Sequence, residues 1–167
     1  MSVHIRSVHP EEVFAIAALA RVVWQTVYPA IITQAQIDYM LAQRYNAPQL
    51  LEELGRPDLW WDQAFVGGER SGFASTLITA IPGEMKLDKL YVHPQRQRQG
   101  IGGALLAHVC ARARRLGCET LVLAVNKHNA PAIAAYGRYG FSVRESVRTE
   151  IGRGFVMDDF IMAKSLT

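Results

Sequence analysis

Residues 93–106 read HPQRQRQGIGGALL, and their types and order suit the binding of an anion. An apolar strand ends at His93-Pro94, a basic polar turn follows, and glycines open a long amphipathic helix. The first N–H groups of a helix lack intrahelical partners, and the aligned peptide dipoles add roughly half a positive charge at that end. Gly100, Gly102 and Gly103 carry no side chain to hold a phosphate away from the backbone, while Arg96 and Arg98 add mobile positive charge. A pyrophosphate suits such a place. Further along, Asn129 and Tyr136 are seven residues apart, close to two helical turns, and so share one helix face. A tyrosine of ordinary pKa, about 10, is protonated at neutral pH and can donate. Asp88 adds a carboxylate to the strand that feeds the loop.

Two other phosphate loops do not fit. No Lys-Ser or Lys-Thr follows the glycines, as a nucleoside-triphosphate loop requires, and Leu105 occupies the third glycine of a dinucleotide fingerprint. What remains is Gln/Arg-x-x-Gly-x-Gly/Ala, met by Gln97-Arg98-Gln99-Gly100-Ile101-Gly102. With it stands a second motif: Asn129, then Ala132-Ile133, Tyr136 and Gly140-Phe141. In both, the chain resembles the GCN5-related N-acetyltransferase (GNAT) family. The resemblance implies acetyl-coenzyme A as donor, its pyrophosphate held by backbone N–H groups of Arg98, Gln99, Gly100, Ile101, Gly102 and Gly103. It makes the main chain of Leu90, Tyr91 and Val92 the partner of the pantetheine amides, Asn129 a further coenzyme contact, and Tyr136 the general acid toward the sulfur. Asn129 also suits a helix N-cap, and Tyr139 is a rival hydroxyl.

An amine of pKa about 10.4 is neutral in only roughly one molecule in 2500 at pH 7, so the attack on a thioester gains from a base. Asp88 shares the strand parity of Leu90 and is the best-placed carboxylate by sequence. Other family members often carry a glutamate slightly earlier, where this chain has Lys86. Gly152 to Lys164, GRGFVMDDFIMAK, and Tyr45 to Leu50, YNAPQL, resemble the diamine and polyamine branch. That implies a small-amine acceptor, for which Asp158, Asp159, Trp24 and Tyr28 offer carboxylates and aromatic faces. A protein N-terminus or lysine is the alternative acceptor, and a non-catalytic acetyl-coenzyme A sensor is an alternative of another class.

Composition narrows the rest. The chain has 167 residues, half of them hydrophobic and a fifth charged, with a net charge of +3. That describes one globular domain, 1–167, too weakly basic to argue for nucleic acid. Cys110 and Cys118 have no metal-ligand spacing, so no metal is implied, and reduced thiols suit a cytoplasmic protein. The apolar run Val13 to Ala20 is too short to span a bilayer, so no membrane role is expected, and a homodimer stays open.

The elements that must position these residues are legible in outline. Strands are expected at 3–8, at 60–66 and 72–80 around Gly67-Gly68, at 85–92, 120–125, 142–146 and 155–163. Helices are expected from Pro10 to Tyr28, across 34–54 with a break at Asn46-Ala47-Pro48, and at 101–116 and 130–139. Alternating strands and helices give an α/β (α+β) domain, a central mixed, mostly antiparallel sheet with helices on both faces, which is also the GNAT fold.

Overall fold

The computed structural model describes residues 2–167. Its elements run β1 (Val3–Ser7), α1 (Val13–Val27), α2 (Gln34–Arg44), α3 (Ala47–Leu54), β2 (Leu59–Val66), β3 (Glu69–Ile78), β4 (Glu84–Val92), α4 (Ile101–Arg115), β5 (Thr120–Asn126), α5 (Ala130–Arg138), β6 (Ser142–Gly152) and β7 (Phe155–Ser165). The strands form a seven-stranded sheet in the order β1-β2-β3-β4-β5-β7-β6. Every neighbouring pair is antiparallel except β4 and β5.

Side-chain alternation assigns each face of the sheet its own core. On one face Met85, Leu87, Leu121, Leu123, Val125 and Met162 pack against Ile101, Leu105 and Val109 of α4. On the other, Trp61 and Phe73 pack against Ile16, Val23 and Trp24 of α1, with α2 and α3 closing over them through Ile37, Leu41 and Leu50. With its flanking 3-10 turns, α1 belongs to a 21-residue helical stretch from Pro10 to Ala30, long and apolar enough to cross a membrane. Its stripe of Val13, Ile16, Leu19, Ala20, Val23 and Trp24 is instead spent on this core.

Two features of the sheet shape the site. In β4 a bulge places Lys89 opposite Ser75 and Leu87 opposite Thr76, leaving Asp88 as the extra residue. Leu87 and Leu90 therefore both lie toward α4, and Asp88 does not share the side of Leu90, as unbroken alternation predicted. The ladder between β4 and β5 is also short: it joins Glu84 to Thr120, Met85 to Leu121 and Lys86 to Val122, then stops. Beyond Lys86 the two strands part. The hairpin of β6 and β7 is longer than the expected 142–146, because β6 pairs as far as Gly152.

Candidate active site

At the wide end of the gap between β4 and β5 lies the loop of residues 93–100. The chain enters through a 3-10 turn, Pro94–Arg96, and leaves through Gly100 in the left-handed region at φ 82°. Arg98 also adopts a left-handed φ of 62°, a conformation that costs a non-glycine residue energy and folds the turn tightly. No side chain caps α4, and Ala104 is the first amide to find a helix carbonyl, at 3.0 Å from Gly100 O. Among the described residues, the N–H groups from Arg98 to Gly103 find no acceptor. An added Cβ at Gly102 would meet only Val92 Cγ2, at 3.7 Å, so the space over this amide is open. Gly103 is different: a Cβ there would lie 2.9 Å from Tyr139 Oη. The aligned free amides and the open approach fit the pyrophosphate of a coenzyme.

Half-buried Leu90, Tyr91 and Val92 form the β4 side of the gap. Directly after β5, Asn129 caps α5, its side chain accepting from Ala132 N at 3.4 Å. Tyr136 lies on the next turns of α5, edge-on to Phe141 with 5.6 Å between ring centroids. Burial pushes its hydroxyl well above the ordinary tyrosine range, and nearby Tyr28 adds to this. Tyr139 instead ends α5 over Gly103 and is 41% exposed.

Behind the gap, on the α1 and α2 side, is a floor of aromatic rings. Tyr28 stacks on Trp24 at 4.3 Å and its hydroxyl meets that of Tyr91 at 3.0 Å. Trp24 is 1% exposed, so it supports this floor rather than lining an acceptor space. Trp60 lies on the opposite face, under the Arg112 guanidinium at 5.4 Å. The charges here divide into paired and unpaired. Asp88 is held by Lys89 at 2.5 Å and Lys86 at 3.7 Å. Burial pushes its carboxyl up, but Lys89, Arg44 and Lys86 outweigh this and bring it down to about 2. Lys89 is buried at 4%, with Glu53 at 3.9 Å and its ammonium 5.1 Å from the Trp61 ring. Asp158 turns outward to Lys127 at 2.9 Å. Asp159 turns inward, is 5% exposed, and has neither hydrogen bond nor ion pair among the described residues.

The structure thus brings the loop, Leu90 to Val92, Asn129 and Tyr136 around one gap. It places Asp88 and Asp159 on that gap's other side. Two participants gave no signal in the sequence. Arg44, at the end of α2, is half-buried and electrostatically coupled to Asp88 and Asp159, yet it reads as an ordinary last-turn cation. Lys89 reads as a surface lysine until the bulge turns it into the core.

A profile of the Acetyltransferase (GNAT) family matches residues 24–141. A spermidine N(1)-acetyltransferase from Thermoplasma acidophilum is 26% identical over 162 residues, covering 95% of this chain and 97% of that one. A ribosomal protein bS18-alanine N-acetyltransferase from Escherichia coli is 40% identical over 75 residues, covering 45% of this chain and 49% of that one. Among solved structures, PaiA N-acetyltransferase from Thermoplasma acidophilum in complex with coenzyme A superposes with a TM-score of 0.86 at 27% identity, covering 99% of both chains.

Proposed function

Because this chain belongs to the GNAT acetyltransferase family, whose members take their acetyl group from acetyl-coenzyme A, we propose that it passes that group to a primary amine of a small polyamine by direct attack. Two observations support the acceptor class: the near-full-length likeness to a spermidine N(1)-acetyltransferase and a buried carboxylate left without a partner behind the gap. The observation that carries the acyl transfer is the opening of the β4–β5 gap onto the unsatisfied amides of Arg98 to Gly103.

Bound acetyl-coenzyme A supplies an activated thioester. The protein's own groups do the rest. Amides from Arg98 to Gly103 hold the pyrophosphate with charge-assisted hydrogen bonds, and the dipole of α4 favours the negative charge. Gap-facing backbone groups of Leu90 to Val92 align the pantetheine arm as an added strand. Tyr136, kept protonated by burial, gives its proton to the departing sulfur. Asn129 fixes the start of α5, and so the height of Tyr136, while lying beside the same arm. Cys110 on α4 and Cys118 just after it are buried, and burial pushes both thiols up, away from the thiolate form a covalent carrier needs. Asp88 as general base fares worse, since a carboxylate held at about 2 by two lysines is a weak proton acceptor.

Thiol release from acetyl-coenzyme A, followed across spermidine, spermine, diamines, amino acids and peptides beginning with alanine, tests this reading. Turnover is expected with polyamines. Turnover with the peptides alone would transfer the assignment to protein N-termini, the reading favoured by the 40% identical stretch shared with the bS18-alanine enzyme.

A further inference from the structure

We propose that Asp159 is the carboxylate that takes the proton from the attacking amine, the role that strand position alone gives to Asp88. The inference rests on the acetyltransferase reading above and adds the residue that makes the acceptor reactive.

Sheet register locates the side chain. On β5, Leu121, Leu123 and Val125 pack under α4, so Ala124 and Asn126 face the opposite side. On β7, Met162 and Phe160 join the α4 core while Met157 joins the α1 and α2 core, so Asp159 shares the side of Met157. It stands opposite Asn126, one strand spacing, about 4.8 Å, from the edge at which β5 parts from β4. Ala124, in the middle of β5 and paired with Ile161, is nevertheless exposed. An exposed alanine between paired neighbours marks open space over this part of the sheet, and Asp159 borders it.

An unpaired carboxylate at 5% exposure is poorly solvated, because burial leaves it little water and returns no partner. An acceptor ammonium entering over Ala124 supplies that partner. The charged and titratable groups around Asp159 are Arg44 from α2, Asp158 on β7, Lys86 on β4, Lys127 after β5, and Tyr28 at the end of α1. Burial pushes the carboxyl up, and against it Arg44, Lys86 and Lys127 pull down while Asp158 pushes further up; the outcome is a raised carboxyl. It is therefore a better proton acceptor than Asp88.

The step balances. The ammonium gives one proton to the Asp159 carboxylate, directly or through one water, and the freed lone pair forms the N–C bond to the thioester carbonyl carbon. The C–S bond breaks, and the sulfur takes the Tyr136 proton. The second nitrogen proton passes through solvent to restore Tyr136, and Asp159 releases its own to solvent. The net products are one amide, one thiol and one proton.

The test is Asp159→Asn in the full chain, assayed by thiol release with spermidine from pH 6 to pH 10, with Asp88→Asn alongside. Asp159→Asn is expected to lower kcat about 10²-fold or more at pH 7, to leave coenzyme A affinity unchanged, and to unfold at an equal or higher temperature. The deficit should shrink as pH approaches the pKa of the amine, because the acceptor then deprotonates unaided. A loss that is constant across pH would show a structural role, and a kcat within threefold of the parent, or a larger loss in Asp88→Asn, would overturn the proposal. Absence of turnover in the parent chain with every amine would instead count against the acetyltransferase reading itself.

Discussion

Burial raises the Tyr136 hydroxyl well above the ordinary range, so the group holds its proton throughout the physiological interval and acts only as a donor. Tyr136→Phe is expected to cut kcat about 10²-fold with coenzyme affinity within twofold of the parent, measured by thiol release and calorimetry. Tyr139→Phe should leave kcat near the parent, since that hydroxyl lies over Gly103, at the loop that holds the pyrophosphate rather than at the thioester end of the gap. Gly102→Glu separates binding from folding: Val92 leaves room for a Cβ, so the protein should melt near the parent temperature while losing coenzyme affinity to bulk and repelled phosphate. An unchanged affinity in that variant would remove the amide run from the donor site. Glycine and arginine types made the loop legible in sequence, because its chemistry lives in the backbone they expose. Asp159 was legible only as a carboxylate in a stretch that offered two. Which of Asp158 and Asp159 is paired depends on Lys127, a neighbour across the sheet.

At the scale of elements, α2 is fastened to the tip of the β6–β7 hairpin. Tyr39 Oη donates to Ile151 O at 2.6 Å, and Gln36 Nε2 donates to Val156 O at 2.9 Å. This fastening holds Arg44, at the end of the same helix, within electrostatic reach of Asp88 and Asp159. Gly152 makes the close approach possible, with φ at 101° and only 2.5 Å between an added Cβ and Tyr39 Oη. Gly152→Ala should lower stability by about 2 kcal/mol, seen as a fall of roughly 4–8 °C in the melting midpoint. It should also raise KM for the amine more than for acetyl-coenzyme A. The full length of β6 escaped the sequence because its side chains are mostly exposed on both faces, leaving no apolar alternation to read. The β4 bulge escaped for a different reason, since an extra residue in a strand is set by its partner's register.

For the whole molecule, pH sensitivity follows from which carboxylates are paired. Hydrogen bonds from Arg6, His9 N and Gln63 hold Glu12 far below the carboxylate range, and Asp88 is held at about 2. Both are depressed in the folded state, so their contributions are present above the unfolded value, about 4, and are lost as pH falls through the folded one. The urea midpoint should therefore fall once pH drops below about 4, as the unfolded chain begins to bind protons that the folded chain refuses. Asp159 runs the other way, its raised carboxyl favouring the fold at low pH and costing stability as pH rises. The three residue pairs between β4 and β5 carry a further consequence. Among the described residues they are the only strand ladder joining a four-stranded half, β1 to β4, to a three-stranded half, β5, β7 and β6. Across so short a seam the two halves are otherwise held by their shared core under α4, and a donor bound along the parted strands would join them further. Coenzyme A at a hundred times its Kd should raise stability by about 2.7 kcal/mol. Hydrogen exchange should slow at the gap-facing amides of both halves together, so that the molecule is stiffest while it is loaded and loosens each time product leaves.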